Sequence, residues 1–582
     1  MYFIKSEADP TGGTTYTVTG TTQILSVAYA LYAANSGTST TSTNNWNTNG
    51  NANTNATNFI GTTTNNDIIF RRNSVISGKI ANSNTSLGIN SFAAATGGIN
   101  NVAIGDAALA NTIASNGNTA VGFAALQRNT TGSNNTALGS TALRFNTTGN
   151  NNIGIGLEAL YNNTTGGNNN AIGVNSLFSN TTGIQNIALG TSALENNTTG
   201  SNNTALGFVS LLFNTTGFNN VATGTNAMKN NTTGNKNNAF GVDALQANTT
   251  GNNNVAIGDK AMFANTTGIN SVGIGTNALV ANTTGGVNTA VGTNSLTANT
   301  VGTSNTAIGA NSLQANTTGI NNTALGAYSL FSNTTASNNV AIGLNSMFTN
   351  TTGVTNVAIG SYSLQANTTG NRNTAVGINT LLSNTTGDDN TAVGINTLLA
   401  NTAGFQNTAF GRGALSSNTV GVANTAVGFN TLTNLTTGNN NTAVGNNAQV
   451  PTATADNQIR IGNTNIAYAG TQVAWTITSD KVWKTNIATS SLSLSFINSL
   501  LPVQYTRKND EKAKLEYGFI AQDLEKALIT AGAANNGIIS RDDEGKMGVR
   551  YNDLLAPMVK AIQEQQKMID ELKKEIEMLK RK

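Results

Sequence analysis

The chain has no cysteine and no histidine among its 582 residues. The first absence removes disulfides, thiol nucleophiles and zinc–thiolate sites. The second removes Ser-His-Asp triads and histidine-ligated metals. There are four prolines (Pro10, Pro451, Pro502 and Pro557), and none interrupts residues 81–450. Charge is nearly missing from that stretch too: it holds 14 charged side chains, against 34 in residues 451–582 and 7 in residues 1–80. A segment so poorly charged has no means of tracking a phosphate backbone, which argues against nucleic acid as its partner. No apolar run reaches the roughly 20 residues of a membrane helix. The longest candidate, residues 24–34, is short and follows a polar leader, so neither membrane insertion nor a signal peptide is read here. No cofactor or metal is expected.

What fills the chain instead is a repeat of 17 residues. The glycine of an A-x-G step recurs from Gly88 through Gly105, Gly122 and Gly139 to Gly445, which is 22 repeats over 357 residues without an insertion. A second glycine, closing N-T-T-G, keeps the same period from Gly132 to Gly438, with Ala336 the one substitution. Such a ruler is the mark of a solenoid, in which each coil must present the same profile to the next. A representative unit runs Asn134-Asn135-Thr136-Ala137-Leu138-Gly139, then Ser140-Thr141-Ala142-Leu143, then Arg144-Phe145-Asn146-Thr147-Thr148-Gly149. It reads as two short strand-like pieces separated by glycine-bearing turns.

Alternation puts positions 136 and 138 on one face of the first piece and Ala137 and Gly139 on the other. The aliphatic pair is expected to point inward, with Leu143 as a second inward anchor. The flat Ala/Gly face would then receive neighbouring chains. Asparagines and threonines at fixed positions are expected to stack into hydrogen-bonded ladders, along a shaft of about 100 Å at about 4.8 Å per coil. With two or three apolar side chains per coil the core is thin, which favours several chains packed together. A monomeric β-helix and an ice- or glycan-binding array are the alternatives. The N-T-T triplets match the glycosylation pattern, but as a by-product of the repeat.

The N-x-A-[IVL]-G-x-x-[AS]-L pattern resembles the head repeats of trimeric autotransporter adhesins, which implies a left-handed parallel β-roll assembled as a trimer. Residues 19–33 (Thr19-Gly20-Thr21 through Ala33) and Asn58-Phe59-Ile60-Gly61-Thr62-Thr63 resemble segments that precede such arrays in secreted bacterial proteins. That likeness implies a fragment missing its export signal, from a cell surface or a virion tail fibre.

After Pro451 the composition changes: charge rises and Trp475 and Trp483 appear. Three blocks follow: Ser479-Asp480-Lys481-Val482-Trp483-Lys484-Thr485-Asn486, then Tyr517-Gly518-Phe519-Ile520-Ala521-Gln522, then Val549-Arg550-Tyr551-Asn552-Asp553. Their order and spacing resemble the intramolecular chaperone of endosialidase-type tail spikes, the S74 peptidases. The resemblance implies a domain that holds three chains in register and then cuts itself off between Thr478 and Ser479. Ser479 matches the nucleophile and Lys484 the base, with Asn486 in support and Asp480 either a positioning residue or simply a helix or turn cap. A lysine desolvated by packing loses basicity and can take the serine proton without histidine. Gly518 and Gln522 read as structural. The chain departs from the family at Trp483, where a small aliphatic is usual, and at Glu516, where many members carry histidine.

The last helix points to assembly by itself. Met558, Ile562, Gln565, Ile569, Leu572, Ile576 and Leu579 follow a 4-3 spacing over three heptads. Isoleucine at a with leucine at d alone favours two strands, so a trimer is implied by the rod and the resemblance.

The expected architecture is therefore mainly β. An N-terminal segment (1–80) leads into a shaft (81–450), a neck (451–478) and a small α+β chaperone (479–582) ending in a coiled coil (553–582). The expected function is a homotrimeric fibrous adhesin or tail-fibre-like protein that releases its own chaperone and meets a host-cell glycan or protein receptor. A tail-spike enzyme acting on polysaccharide is the competing class; against it, acidic residues are scattered and only Asp388 and Asp389 are adjacent.

Overall fold

A computed structural model of the chain describes residues 3–7, 18–23, 62, 64–95, 97–466, 469–473, 476–508, 513–542 and 544–582. Trp475, residues 26–33 and 58–61 of the N-terminal likeness, and the 24–34 apolar run lie outside them. Two strands, β1 (Phe3–Glu7) and β2 (Val18–Gln23), pair antiparallel near the start.

The shaft is one long parallel ladder. It begins with a hairpin of β3 (Ile68–Arg72) and β4 (Val75–Ile80), which caps β5 (Asn84–Leu87) antiparallel. From β5 onward each strand pairs in parallel with the one 17 residues later, through β6 (Asn101–Ile104) and β7 (Thr119–Val121) to β26 (Thr442–Val444) and β27 (Ile459–Ile461). The register therefore continues past Pro451 into the segment read as a neck. Within the described residues the ladder has two free ends, since β3 pairs with β4 alone and β27 with β26 alone.

Local geometry explains the period. In the coil 134–150, Gly139 has φ 143° and a Cβ there would run into the carbonyl of Gly156 on the next coil. Asn134, Thr141 and Leu143 also take positive φ, 52° to 59°. For Leu143 this costs about 1–2 kcal/mol, offset by about 1.5–3 kcal/mol from its complete burial. The turns aim successive N–H groups at different neighbours. Gly139 and Thr141 donate back to Val121 and Phe123, while Thr136, Leu143 and Phe145 donate forward to Asn152, Ala159 and Tyr161.

Two asparagine ladders run inside the rod. Asn135 donates its backbone N–H and its Nδ2 to Asn118 Oδ1, at 2.9 and 3.2 Å. Asn146 donates Nδ2 to Asn129 Oδ1 at 2.8 Å. Both amides converge on the carbonyl of Gly149, at 2.9 and 3.0 Å. A Cβ on Gly149 would collide with the Asn146 amide, hence the second conserved-spacing glycine. The Thr147 hydroxyl donates to the Thr164 carbonyl at 3.0 Å, forming a third ladder. Asn146 belongs to an N-T-T triplet, yet it is fully buried and its amide is occupied, so no glycan is attached there in the folded rod.

The faces of the strand are opposite to the sequence expectation. Ala137, Ala142, Leu143, Asn135 and Asn146 are all buried, whereas Leu138 is 47 % exposed. The same holds along the shaft: Ile172, Leu189, Phe240, Ile257, Ile308 and Phe410 point outward. The physical reason is width. At the Ala137 position of the next coil stands Gly154, and a Cβ there would already lie 3.3 Å from the Leu143 side chain. Facing one leucine, the coil has room for a methyl and no more. Small residues mark close approach, as read, but within the coil rather than between chains.

The C-terminal domain is small and α+β. Helix α1 (Leu494–Ser499) leads to β28 (Pro502–Tyr505), paired antiparallel with β29 (Glu516–Phe519). Then come α2 (Ala521–Thr530), the hairpin of β30 (Ile539–Arg541) and β31 (Met547–Val549), a turn at 551–554 and α3 (Leu555–Lys580). Leu492, Phe496, Leu524, Leu528, Ile538 and Leu554 form its core. Helix α3 buries Pro557 and Ala561, and Glu564 accepts the Leu494 N–H at 2.9 Å, which ties it to α1.

Candidate active site and assembly surfaces

The segment before α1 carries the serine. Asp480 Oδ1 accepts the Val482 N–H at 2.9 Å and so caps a single 3-10 turn at Lys481–Trp483. That turn carries the chain from Ser479 round to Lys484, whose own N–H closes it on the Lys481 carbonyl. As a result Lys484 Nζ donates to Ser479 Oγ at 2.6 Å. Asp480 thus shapes the turn and does not touch the lysine. Asn486 holds a left-handed conformation, φ 53°, just beyond it. Thr478, Ser479, Lys484 and Asn486 are all exposed, as are Val482 and Trp483 at 77 % each.

The spacing of Oγ and Nζ suits proton transfer once the amine is neutral. The single chain, however, leaves Lys484 exposed to water. The dyad is assembled here, but its surroundings are not.

The two downstream blocks meet each other rather than the dyad. Gly518 leaves the space in which the Tyr551 hydroxyl sits, and that hydroxyl accepts the Phe519 N–H at 3.1 Å. Burial, with Tyr551 and Glu516 close by, pushes the Tyr505 hydroxyl up from its ordinary pKa. Glu516 forms an ion pair with Arg507 at 2.9 Å. Sequence reasoning marked Gly518 as structural but missed Tyr551 as its partner; the glycine on a short strand was the available signal.

The heptad seam is bare in one chain: Met558, Ile562, Ile569, Leu572, Ile576 and Leu579 are 40–69 % exposed. Gln565 is also exposed. On the shaft, the adjacent carboxylates are structurally engaged. Asp389 takes Arg372 through two hydrogen bonds, 2.6 and 2.9 Å, which hold its carboxyl below the usual carboxylate range. Asp388 accepts the Asn371 N–H at 2.6 Å.

A long β-solenoid followed by a small α+β domain that ends in a long helix defines the class: a fibrous repeat protein with a separate C-terminal domain. Residues 479–533 match the family described as Chaperone of endosialidase, the S74 peptidases. The C-terminal region therefore carries an S74-type chaperone domain, joined to a rod of 17-residue repeats. No curated protein and no solved structure matches the chain.

Proposed function

We propose that this protein is a homotrimeric shaft, displayed outside the cell or on a virion tail as an adhesin or tail fibre, whose C-terminal domain aligns three chains and then detaches. The coarser reading, a fibrous structural protein with an S74 chaperone domain, rests directly on the fold and the family match. The observation that carries the finer one is the outward row of mostly apolar side chains along the ladder, exposed or half-buried from Leu138 to Val444 and interrupted at Thr223. An apolar row of that length does not stay in water. A second copy, with the same row at the same 17-residue pitch, covers it coil by coil. The bare seam of α3 calls for copies of the same chain at the other end.

Identical repeats make alignment hazardous, because a slip of one coil costs little locally. A clamp at one end fixes the register, and the shaft then zips away from it. Release follows: Ser479 Oγ attacks the Thr478 carbonyl carbon while Lys484 Nζ takes the hydroxyl proton and passes it to the departing Ser479 nitrogen. Water then hydrolyses the ester. Packing of the copies around Lys484 supplies the desolvation that one chain lacks.

The test is intact mass and native size of the full chain beside Ser479→Ala and Lys484→Ala. Fragments ending at Thr478 and beginning at Ser479, absent from both variants, establish the cut. An uncut wild-type trimer removes the peptidase step and keeps the chaperone; a monomer removes the assembly reading.

A further inference from the structure

One ring cluster on the shaft carries two arginines. Arg128, Arg144, Phe145, Tyr161 and Phe178 lie at the bend after the buried leucine on four successive coils. The Arg128 guanidinium carbon stands 4.6 Å from the Phe145 ring centre, and that of Arg144 stands 5.4 Å from Phe145 and 5.8 Å from Tyr161. Phe145 meets Tyr161 edge-on at 4.9 Å, and Tyr161 stacks on Phe178 at 5.1 Å. Arg144 is fixed further, donating Nε to Gln127 Oε1 at 2.9 Å and Nη1 to the Tyr161 hydroxyl at 3.1 Å.

Stacking alone does not account for the charges. Two guanidinium groups from neighbouring coils approach the same Phe145 ring, where like charges repel. Among the described residues neither forms an ion pair, whereas Arg372, elsewhere on the same shaft, is matched by Asp389. The guanidinium N–H groups of Arg128 and the Nη2 of Arg144 have no protein acceptor among the described residues. The result is a pre-set pair of forked donors beside ring edges, on a surface with little other charge.

We infer that this cluster is a binding site for an acidic saccharide, with Arg128 and Arg144 gripping a carboxylate or sulfate and the Phe145 and Tyr161 edges contacting the sugar ring. Leu143 crosses the coil toward the Ala137 side, so this bend lies on the far side from the aliphatic row. It stays open when copies pack there, and to that extent the inference rests on the shaft reading. A lone phosphate chain would find two charges and no continuation along the rod, which favours a sugar over nucleic acid.

The test is calorimetric titration of the full chain with a heparin-derived hexasaccharide, a hexagalacturonate, neutral maltohexaose and inorganic polyphosphate. Binding of either acidic sugar, weakened at high ionic strength, is expected, and the two probes tell sulfate from carboxylate. Arg128→Gln, at an exposed side chain, is expected to weaken binding about tenfold with an unchanged unfolding temperature. Arg144→Lys, which keeps the charge but loses the fork, is expected to weaken it comparably. No binding by either acidic sugar overturns the inference, as does affinity indifferent to both substitutions. Equal affinity for maltohexaose or polyphosphate overturns the saccharide assignment. Native size of the same samples separates this outcome from failure of the trimer: a trimer that ignores acidic sugars sinks only the site, and a monomer that binds them sinks only the assembly.

Discussion

Leu435 stands one coil beyond Asn418, at the place from which an asparagine amide would donate to the Asn418 Oδ1. That oxygen is buried and has no partner, while every asparagine of the same inner ladder from Asn129 to Asn401 passes its Oδ1 to the next. The ladder thus ends on an unpaired acceptor, with Leu435 fully buried above it. A ladder of amides is directional, and its cost of interruption depends on where it is cut.

Mid-ladder, Asn282 donates to Asn265 Oδ1 and accepts from Asn299. Asn282→Ala strands the Asn265 oxygen and deprives Asn299 of an acceptor. Asn418→Ala strands Asn401 but removes an acceptor that was already unpaired. Asn282→Ala is therefore expected to destabilise its surroundings by about 1–3 kcal/mol more than Asn418→Ala does. A rod of repeats opens locally, so the measurement is hydrogen-exchange protection of the coils around each site. Equal loss at both would show that the ladder adds nothing cooperative.

The outward aliphatic row makes a separate prediction. Ile257 and Ile308 are 39 % and 38 % exposed, so glutamate at both leaves the inside of each coil untouched. The expected result is a shaft that keeps its β-type circular dichroism but fails to associate, or associates only through α3. Light scattering after size exclusion reads this. A double variant that remains fully trimeric along the shaft, judged by resistance to protease at the coils between, would place the interchain contact on another face.

Helix α3 separates two roles along one element. Ala561 is buried against the domain, whereas Ile569 is 40 % exposed and Leu572 55 %. If α3 joins copies of the chain as proposed, Ile569→Asp is expected to abolish that association while the domain core of Phe496, Leu524 and Leu528 stays folded, seen as retained near-ultraviolet dichroism with loss of native size. Ala561→Asp is expected to unfold the domain, since it buries an unpaired charge against α1. Matching phenotypes for the two would remove the distinction between seam and core.

The period, the parallel ladder and the asparagine stacks were legible because spacing survives in a sequence without any knowledge of direction. Gly88 to Gly445 fixes the pitch, and Asn135 and Asn146 at fixed offsets fix the ladders. Which side of the strand faces inward was not legible. Alternation in Thr136-Ala137-Leu138 distinguishes two faces but does not name them, and the usual rule sends the larger apolar group inside. That rule fails because the space across the coil is already filled by Leu143, a residue six positions on whose left-handed backbone aims it back at the strand. Ser479 and Lys484 were singled out only through the family resemblance, since a serine five residues before a lysine is common by chance; that one capped turn brings their side chains together is visible only in the structure. The exposure of Lys484 was not legible either, because a motif names a residue without saying what packs around it.

Gly518 and Tyr551 join the two downstream blocks, and a substitution cycle measures that joint. A Cβ on Gly518 meets the Tyr551 hydroxyl and comes within 3.3 Å of the Tyr505 ring. Gly518→Ala must therefore push Tyr551 away and break its 3.1 Å hydrogen bond from the Phe519 N–H. Tyr551→Phe removes the same bond without the collision and is expected to cost about 0.5–1.5 kcal/mol. Gly518→Ala is expected to cost more, about 1–3 kcal/mol, because the displaced ring also loses its packing on Phe519. In the double variant the hydroxyl that blocked the methyl is gone, so its cost falls short of the sum of the singles by more than about 0.5 kcal/mol. Urea unfolding of the full chain, followed by tyrosine fluorescence of the C-terminal domain, supplies the four values. Strict additivity would mean that the ring relaxes freely and that the two blocks are neighbours without being coupled.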